Sequence, residues 1–236
     1  SGWGSASGIV VSDLDANVEY EFLSRTRNQL LCPSDYSGSI STYTLAQVPG
    51  TPSLVGTSTD TITVILDPKD NSSSTTFSIK CLSDGTTKYV QHTTGLLGDT
   101  TDWVTYTDWG GSSGVVVSSL TVNTRYEFMS CAKNSYGHIT DWSESNSTWT
   151  LAQVPGIPSL VDTSTGSVRV ILEPLENPAT TQFSIKCLSE GTTKYVQQSG
   201  LLDTGEVWQT YSGWGSASGI VVSDLDANVE YEFLSR

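Results

Sequence analysis

An all-β fold is what the sequence predicts, and three observations predict it. Apolar and polar residues alternate at period two over 61–66, 77–81 and 126–130. Short β-branched and aromatic runs are separated throughout by clusters of Gly, Pro, Asn, Asp and Ser. No segment sustains an apolar pattern at 3.6-residue spacing, so antiparallel sandwiches are expected rather than helices. Composition agrees: of 236 residues, 36% are hydrophobic and only 15% charged, too little charge for a coiled coil. The apolar runs are too short to span a membrane, and Val, Ile, Leu, Tyr and Trp recur often enough to build cores. A net charge of −14 with no basic run is repelled by phosphate backbones, which excludes nucleic acid as a partner.

The chain repeats itself at two levels. Residues 1–25 return unchanged at 212–236, an offset of 211. Inside that period, TLAQVPG at 44–50 returns at 150–156, and CLSDGTTKYVQ at 81–91 returns as CLSEGTTKYVQ at 187–197, both offset by 106. Tyr126 follows Tyr20 by 106 and precedes Tyr231 by 105, so a 211-residue unit holds two related domains. Every position therefore has a sister against which its chemistry can be checked. The arithmetic divides the chain into 1–47, the C-terminal part of a domain; 48–153, a complete one; and 154–236, the N-terminal part of a second type, completed by residues equivalent to 26–47.

Certain residues carry a resemblance. Each domain opens on Pro-x-x-Pro (Pro49 and Pro52; Pro155 and Pro158), and a Leu six residues ahead of a Tyr begins a later strand: Leu14 and Tyr20, Leu120 and Tyr126, Leu225 and Tyr231. This resembles the fibronectin type III domain, in the style of tandem arrays on large bacterial surface proteins. The resemblance implies seven antiparallel strands per sandwich. It also implies that Tyr20, Tyr126 and Tyr231 form a tyrosine corner, tying the sheet connection to the core through the hydroxyl. One departure stands out: the family's second strand usually ends in Trp, whereas Leu66 and Leu172 stand there. Trp103 and Trp109, with sisters Trp208 and Trp214, are expected to fill the core instead.

Candidate chemistry is sparse. Gly110–Gly114 fits G-x-S-x-G, but it precedes a strand, and the sister of Ser112 is Ala217. A loop is the expectation and no enzymatic activity follows. Residues 13–17 (DLDAN) resemble the start of a calcium loop but lack its Gly and Glu, so a turn is expected, with weak surface calcium as the sole cofactor left open. His92 and His138 have Gln198 and Cys32 as sisters, and no cluster has metal-ligand spacing. Trp103, Trp109, Trp142 and Trp149 are candidates for a sugar-stacking face or, more in keeping with a sandwich, for core and edge. Asn71 and Asn146 head N-glycosylation sequons, and Pro178 removes the sequon from Asn177, the sister of Asn71.

Four cysteines fit an oxidising, extracellular setting. Alternation points Cys81 and Cys187 inward and Cys131 outward. Cys32 and Cys131 are therefore expected to be an exposed pair able to link domains or chains, with Cys81 and Cys187 as buried thiols. Bonds Cys81–Cys131 and Cys187–Cys32 of the next unit are the alternative.

The leading expectation is a structural segment of a long extracellular fibre or cell-surface stalk. Its partners would be further copies of itself, in line and laterally, joined by short, Pro-stiffened linkers. An adhesin or carbohydrate-binding module using exposed aromatics is the alternative, with a glycan as partner. A non-catalytic accessory segment of a secreted polysaccharide hydrolase is a third. The repeat arithmetic further predicts that the window cuts through a continuous or head-to-tail polymer, neither partial domain being stable alone.

Overall fold

A computed structural model describes residues 8–236, and the strands fall where the alternation places them. In the stretch up to residue 47, β1 (Glu19–Phe22) pairs antiparallel with β2 (Ile40–Tyr43). The following sandwich runs through β3 (Gly50–Val55), β4 (Ile62–Asp67), β5 (Thr76–Ser83), β6 (Thr86–Val90), β7 (Leu97–Gly98), β8 (Val104–Thr105), β9 (Val115–Val117), β10 (Arg125–Lys133) and β11 (Asn146–Trp149). One sheet has the order β3-β4-β9 and the other β11-β10-β5-β6-β7, with β8 on β5. Setting aside the two-residue ladders β7 and β8, seven strands remain in this sandwich, the number the resemblance implies.

The pattern repeats in β12 (Gly156–Val161), β13 (Val168–Glu173), β14 (Gln182–Phe183), β15 (Ile185–Ser189), β16 (Thr192–Val196), β17 (Leu202–Asp203), β18 (Gln209–Thr210), β19 (Ile220–Val222) and β20 (Glu232–Ser235). Here the sheets are β12-β13-β19 and β17-β16-β15-β20, with β14 on β18. Register is copied with the sequence: Cys81 faces Phe128 across β5–β10, and Cys187 faces Phe233 across β15–β20.

Alternation also sets the core. Ile62, Val64 and Leu66 on β4, and Phe77, Ile79 and Cys81 on β5, all point inward and are buried, as are Val168, Val170, Leu172, Phe183, Ile185 and Cys187 in the second sandwich. A 3-10 turn, Gly111–Ser113, precedes β9, and Ser216–Ser218 precedes β19. Gly110 sits at φ +86°, and a Cβ there would stand 2.2 Å from the carbonyl oxygen of Gly114; a Cβ on Gly114 would meet Val64 O at 2.4 Å. Gly215 and Gly219 repeat both approaches. The glycine spacing is thus explained by a tight turn laid against β4 or β13.

By contacts the chain forms two compact units. The first comprises the residues up to Thr57, Thr61–Ser119 and Arg125–Thr148; the second comprises Ser58–Asp60, Leu120–Thr124 and Trp149–Arg236. The unit borders cut through loops of the 48–153 repeat and differ from the division by repeat arithmetic.

Candidate functional site

Tyr20 lies on β1 and Tyr126 on β10, and Tyr231 immediately precedes β20. The Asp15 N–H donates to Tyr20 Oη at 2.9 Å, and the Asp226 N–H donates to Tyr231 Oη at 3.0 Å, each across five residues. Tyr126 is buried at the same place on β10.

The four tryptophans do not form one face. Trp109 is 1% exposed and its Nε1–H donates to Phe77 O at 2.9 Å; Trp214 repeats this with Phe183 O at 2.8 Å. Trp109 is therefore a core residue and not a ligand-facing one. Its indole N–H is satisfied inside the core, which is what lets so large a side chain be buried there. Trp103 and Trp208 do not share that role: Lys133 Nζ lies 4.4 Å from the Trp103 ring centre, and Trp208 is an exposed ring beneath Arg236. Lys80 Nζ lies 4.3 Å from the centre of Trp142. Trp149 is 55% exposed.

Those lysines explain a correction among the cysteines. Cys131 sits on the outer face of β10, opposite Ser78, as strict alternation requires. Yet it is 1% exposed, and burial pushes its thiol up to about 12. The outer face is not wet at this point, because Lys80 and Lys133 on either side lie along the Trp142 and Trp103 rings instead of standing in water. The expected exposed pair of Cys32 and Cys131 thus fails, and Cys32 alone is exposed. Cys81 is buried on the opposite, inner face, which rules out a Cys81–Cys131 bond; burial pushes its thiol up to about 12 and that of Cys187 up to about 11. No disulfide joins any two of the four within the chain.

Sequence reasoning missed a second group. Asn17, read as the end of a turn, is buried at φ +53°. Its Nδ2–H donates to Thr75 Oγ1 at 2.8 Å, and its Oδ1 accepts the Ser135 N–H at 2.9 Å. In the second unit its sister Asn123 donates to Thr181 Oγ1, also at 2.8 Å. A further pair flanks each contact. Asn71 accepts the Gln47 N–H at 2.8 Å and donates back to Gln47 O at 2.9 Å, while Asn177 does the same with Gln153 at 2.9 and 2.8 Å. Within each unit these bonds gather where the TLAQVPG linker enters the sandwich, and are called the joint below. The signal was present in the sequence as conserved offsets: 17 to 123, 75 to 181, 47 to 153 and 71 to 177 all equal 106.

The joint bears on the sequons. Asn71 Nδ2 donates to both Gln47 O and Pro68 O, so both its hydrogens are engaged. Asn177 makes the equivalent bonds without a sequon, which accounts for an Asn at this position without any glycan. Asn146 Nδ2 donates to Pro52 O at 3.0 Å. His92 Nδ1 stands 2.7 Å from Asp102 Oδ2; although burial would raise the Asp102 carboxyl, its hydrogen bonds to His92 hold it below the usual range. Among the described residues no group of three His, Cys, Asp or Glu is placed to hold a metal ion, and no helix is long and apolar enough to cross a membrane.

This architecture is similar to a two-domain fibronectin type III segment of chicken tenascin, with 13% identity and a TM-score of 0.51, over 80% of this chain and 90% of that one. Chicken CNTN1 FN1–FN3 domains match at 17% identity over 94% of this chain and 73% of theirs, with a TM-score of 0.31. Domains d3–d4 of the rat CD45 extracellular region match at 20% identity over 61% and 69%, with a TM-score of 0.37. No protein-family model and no curated protein sequence matches the chain. At these identities the tenascin likeness shows the fold alone, which is tandem β-sandwiches of the fibronectin type III kind.

Proposed function

We propose that the chain is a non-catalytic spacer segment of a long extracellular fibre or cell-surface stalk, of the sort found on large bacterial surface proteins. The repeated joint carries this reading. Asn17–Thr75 and Asn123–Thr181 are the same bond at the same length, flanked by the same Asn–Gln clasp. A linker held by side-chain hydrogen bonds at each entry samples fewer conformations than a free Gly/Ser linker, which would coil, and that favours the spacer reading. Chains of one, two and four 211-residue units test this by small-angle scattering. The maximum dimension should grow in proportion to unit number, and growth closer to the square root would sink the idea.

An adhesin or carbohydrate-binding role is the second reading, favoured by the exposed Trp149 ring. A glycan array on the 236-residue chain separates the two: saturable binding to one sugar class, lost in Trp149→Ala, would replace the spacer reading.

A further inference from the structure

Between β10 and β11 the chain runs beside β10 without joining its ladder. Residues 140–145 belong to no strand, and of the six only Ser143 is buried. Two hydroxyls hold them in place. The Thr140 N–H donates to Ala132 O at 2.9 Å, and Thr140 Oγ1 accepts the Ala132 N–H at 3.0 Å. Ser143 does the same with Ser130, at 2.8 and 3.0 Å. The sister residues repeat the arrangement: Ser34 exchanges both bonds with Thr26, and Ser37 with Ser24. A rotatable hydroxyl thus stands in for a ladder carbonyl at each point. A segment held by so few bonds, with so little buried surface, opens at the low end of a protein's free-energy range.

What this strap borders is a nucleophile. Ser130 and Ala132, its two points of attachment, flank Cys131, and its Trp142 lies over Lys80 as one half of the roof on that thiol. Ser78 faces Cys131 across β5–β10; it is fully buried, and its hydroxyl has no partner among the described residues. The sister of Cys131 is Arg25, whose guanidinium lies 4.8 Å from the ring centre of Tyr36, the sister of Trp142. The strap's aromatic therefore meets a cation beside β10 or on β1's continuation in both domain types, and only the first places a thiol there. Burial is what pushes the Cys131 thiol up, while Lys80, the Ser78 backbone N–H and Lys133 all act to lower it. With the cover lifted, a thiol remains between two ammonium groups, opposite a hydroxyl free to donate to a thiolate.

We propose that residues 140–145 are a strap over Cys131, and that its opening, with the β5–β10 ladder intact, makes Cys131 a site of modification by small disulfides. Cys131 gives up its proton, and the thiolate Sγ attacks one sulfur of the disulfide. The new Sγ–S bond forms as the old S–S bond breaks, and the leaving thiolate carries away the electron pair and takes up a proton. The exchange consumes one disulfide and needs no other oxidant. Cys81 has no such route, because it lies on the inner face and only opening of the core reaches it. This inference goes beyond the spacer reading and does not depend on it.

On the timescale of an exposed thiol Cys32 alone reacts, and the strap adds a slower second reaction. The test therefore uses the 236-residue chain carrying Cys32→Ser, treated with 5,5′-dithiobis(2-nitrobenzoate) at pH 8, with modified cysteines located by peptide mass. Cys131 should be modified at least about tenfold faster than Cys81, and its rate should change little in low urea while that of Cys81 climbs steeply. Equal rates with equal urea dependence would leave global unfolding as the only way in and overturn the proposal. Thr140→Val combined with Ser143→Ala should raise the ratio of the Cys131 rate to the Cys81 rate by about a further tenfold, whereas Thr140→Ser, which keeps the hydroxyl, should leave that ratio as it was. A ratio unmoved by the double substitution is equally fatal, because it means the hydroxyls do not hold the cover. Scattering from multi-unit chains reads neither rate, so the spacer reading stands or falls separately.

Discussion

At the scale of single residues, burial decides what each candidate can do, and it separates side chains that pattern alone treats alike. Trp103 and Trp109 are six positions apart, and only Trp109 reaches the core, where its indole N–H finds Phe77 O. Trp109→Ala should destabilise the first sandwich by about 3–5 kcal/mol, read in urea unfolding, as expected for a large core side chain lost with its hydrogen bond. Trp149→Ala, at an exposed ring, should stay within about 0.5 kcal/mol. The thiols give a second prediction. With Cys81, Cys131 and Cys187 raised by burial, one thiol per native chain, Cys32, should react with an alkylating reagent at pH 8, and four after unfolding. The sign of the linkage follows. Above the ordinary value of 9.0 the unfolded chain loses thiol protons that the folded chain keeps up to about 11–12. The unfolded state then binds fewer protons, and stability falls as pH rises from 9 towards 12. Cys131→Ala should flatten that fall, as followed by urea midpoints across the range. Alternation assigned Cys131 to the right face and gave the wrong exposure, because which outer faces are roofed depends on Trp142, nine positions beyond β10.

At the scale of elements, strands and their register were legible in the sequence, and the joints were not. A period of two identifies β4, β5 and β10 because one face of each must leave water, and internal repetition then carries β13, β15 and β20 along with them. Asn17 and Thr75 are polar residues in separate turns, 58 positions apart, and no local pattern announces that they meet. The identity of residues 17 and 228 supplies a control for their contribution. Both asparagines sit at positive φ, +53° and +64°, inside identical sequence, so any backbone penalty on replacement is common to both. Asn17 is buried with two joint partners, whereas Asn228 is exposed. Asn17→Ala should therefore cost about 1–3 kcal/mol more than Asn228→Ala, as a buried bonding group loses its partners. Equal costs in thermal unfolding of the two variants would mean that the joint contributes no stability.

For the whole molecule, charge sets the terms on which copies meet. A net −14 over tandem sandwiches opposes both compaction and lateral packing, and at low ionic strength this repulsion reaches far: the Debye length is about 30 Å at 0.01 M and about 8 Å at 0.15 M. In the proposed fibre, any lateral contact would set many carboxylates of one copy against those of another, so it should strengthen as salt is raised. Stability of the single chain should likewise rise as salt is raised over that range. The question left by the acidic surplus is whether calcium does more than screen. A built calcium site needs six to eight oxygens converging on one point, and no cluster of three candidate ligands occurs among the described residues. Calcium and magnesium chloride at equal ionic strength should therefore raise the thermal midpoint by the same amount, as measured by calorimetry. A further increment with calcium alone, saturating at millimolar concentration, would instead place a specific carboxylate site on the surface and make the divalent ion a partner in assembly.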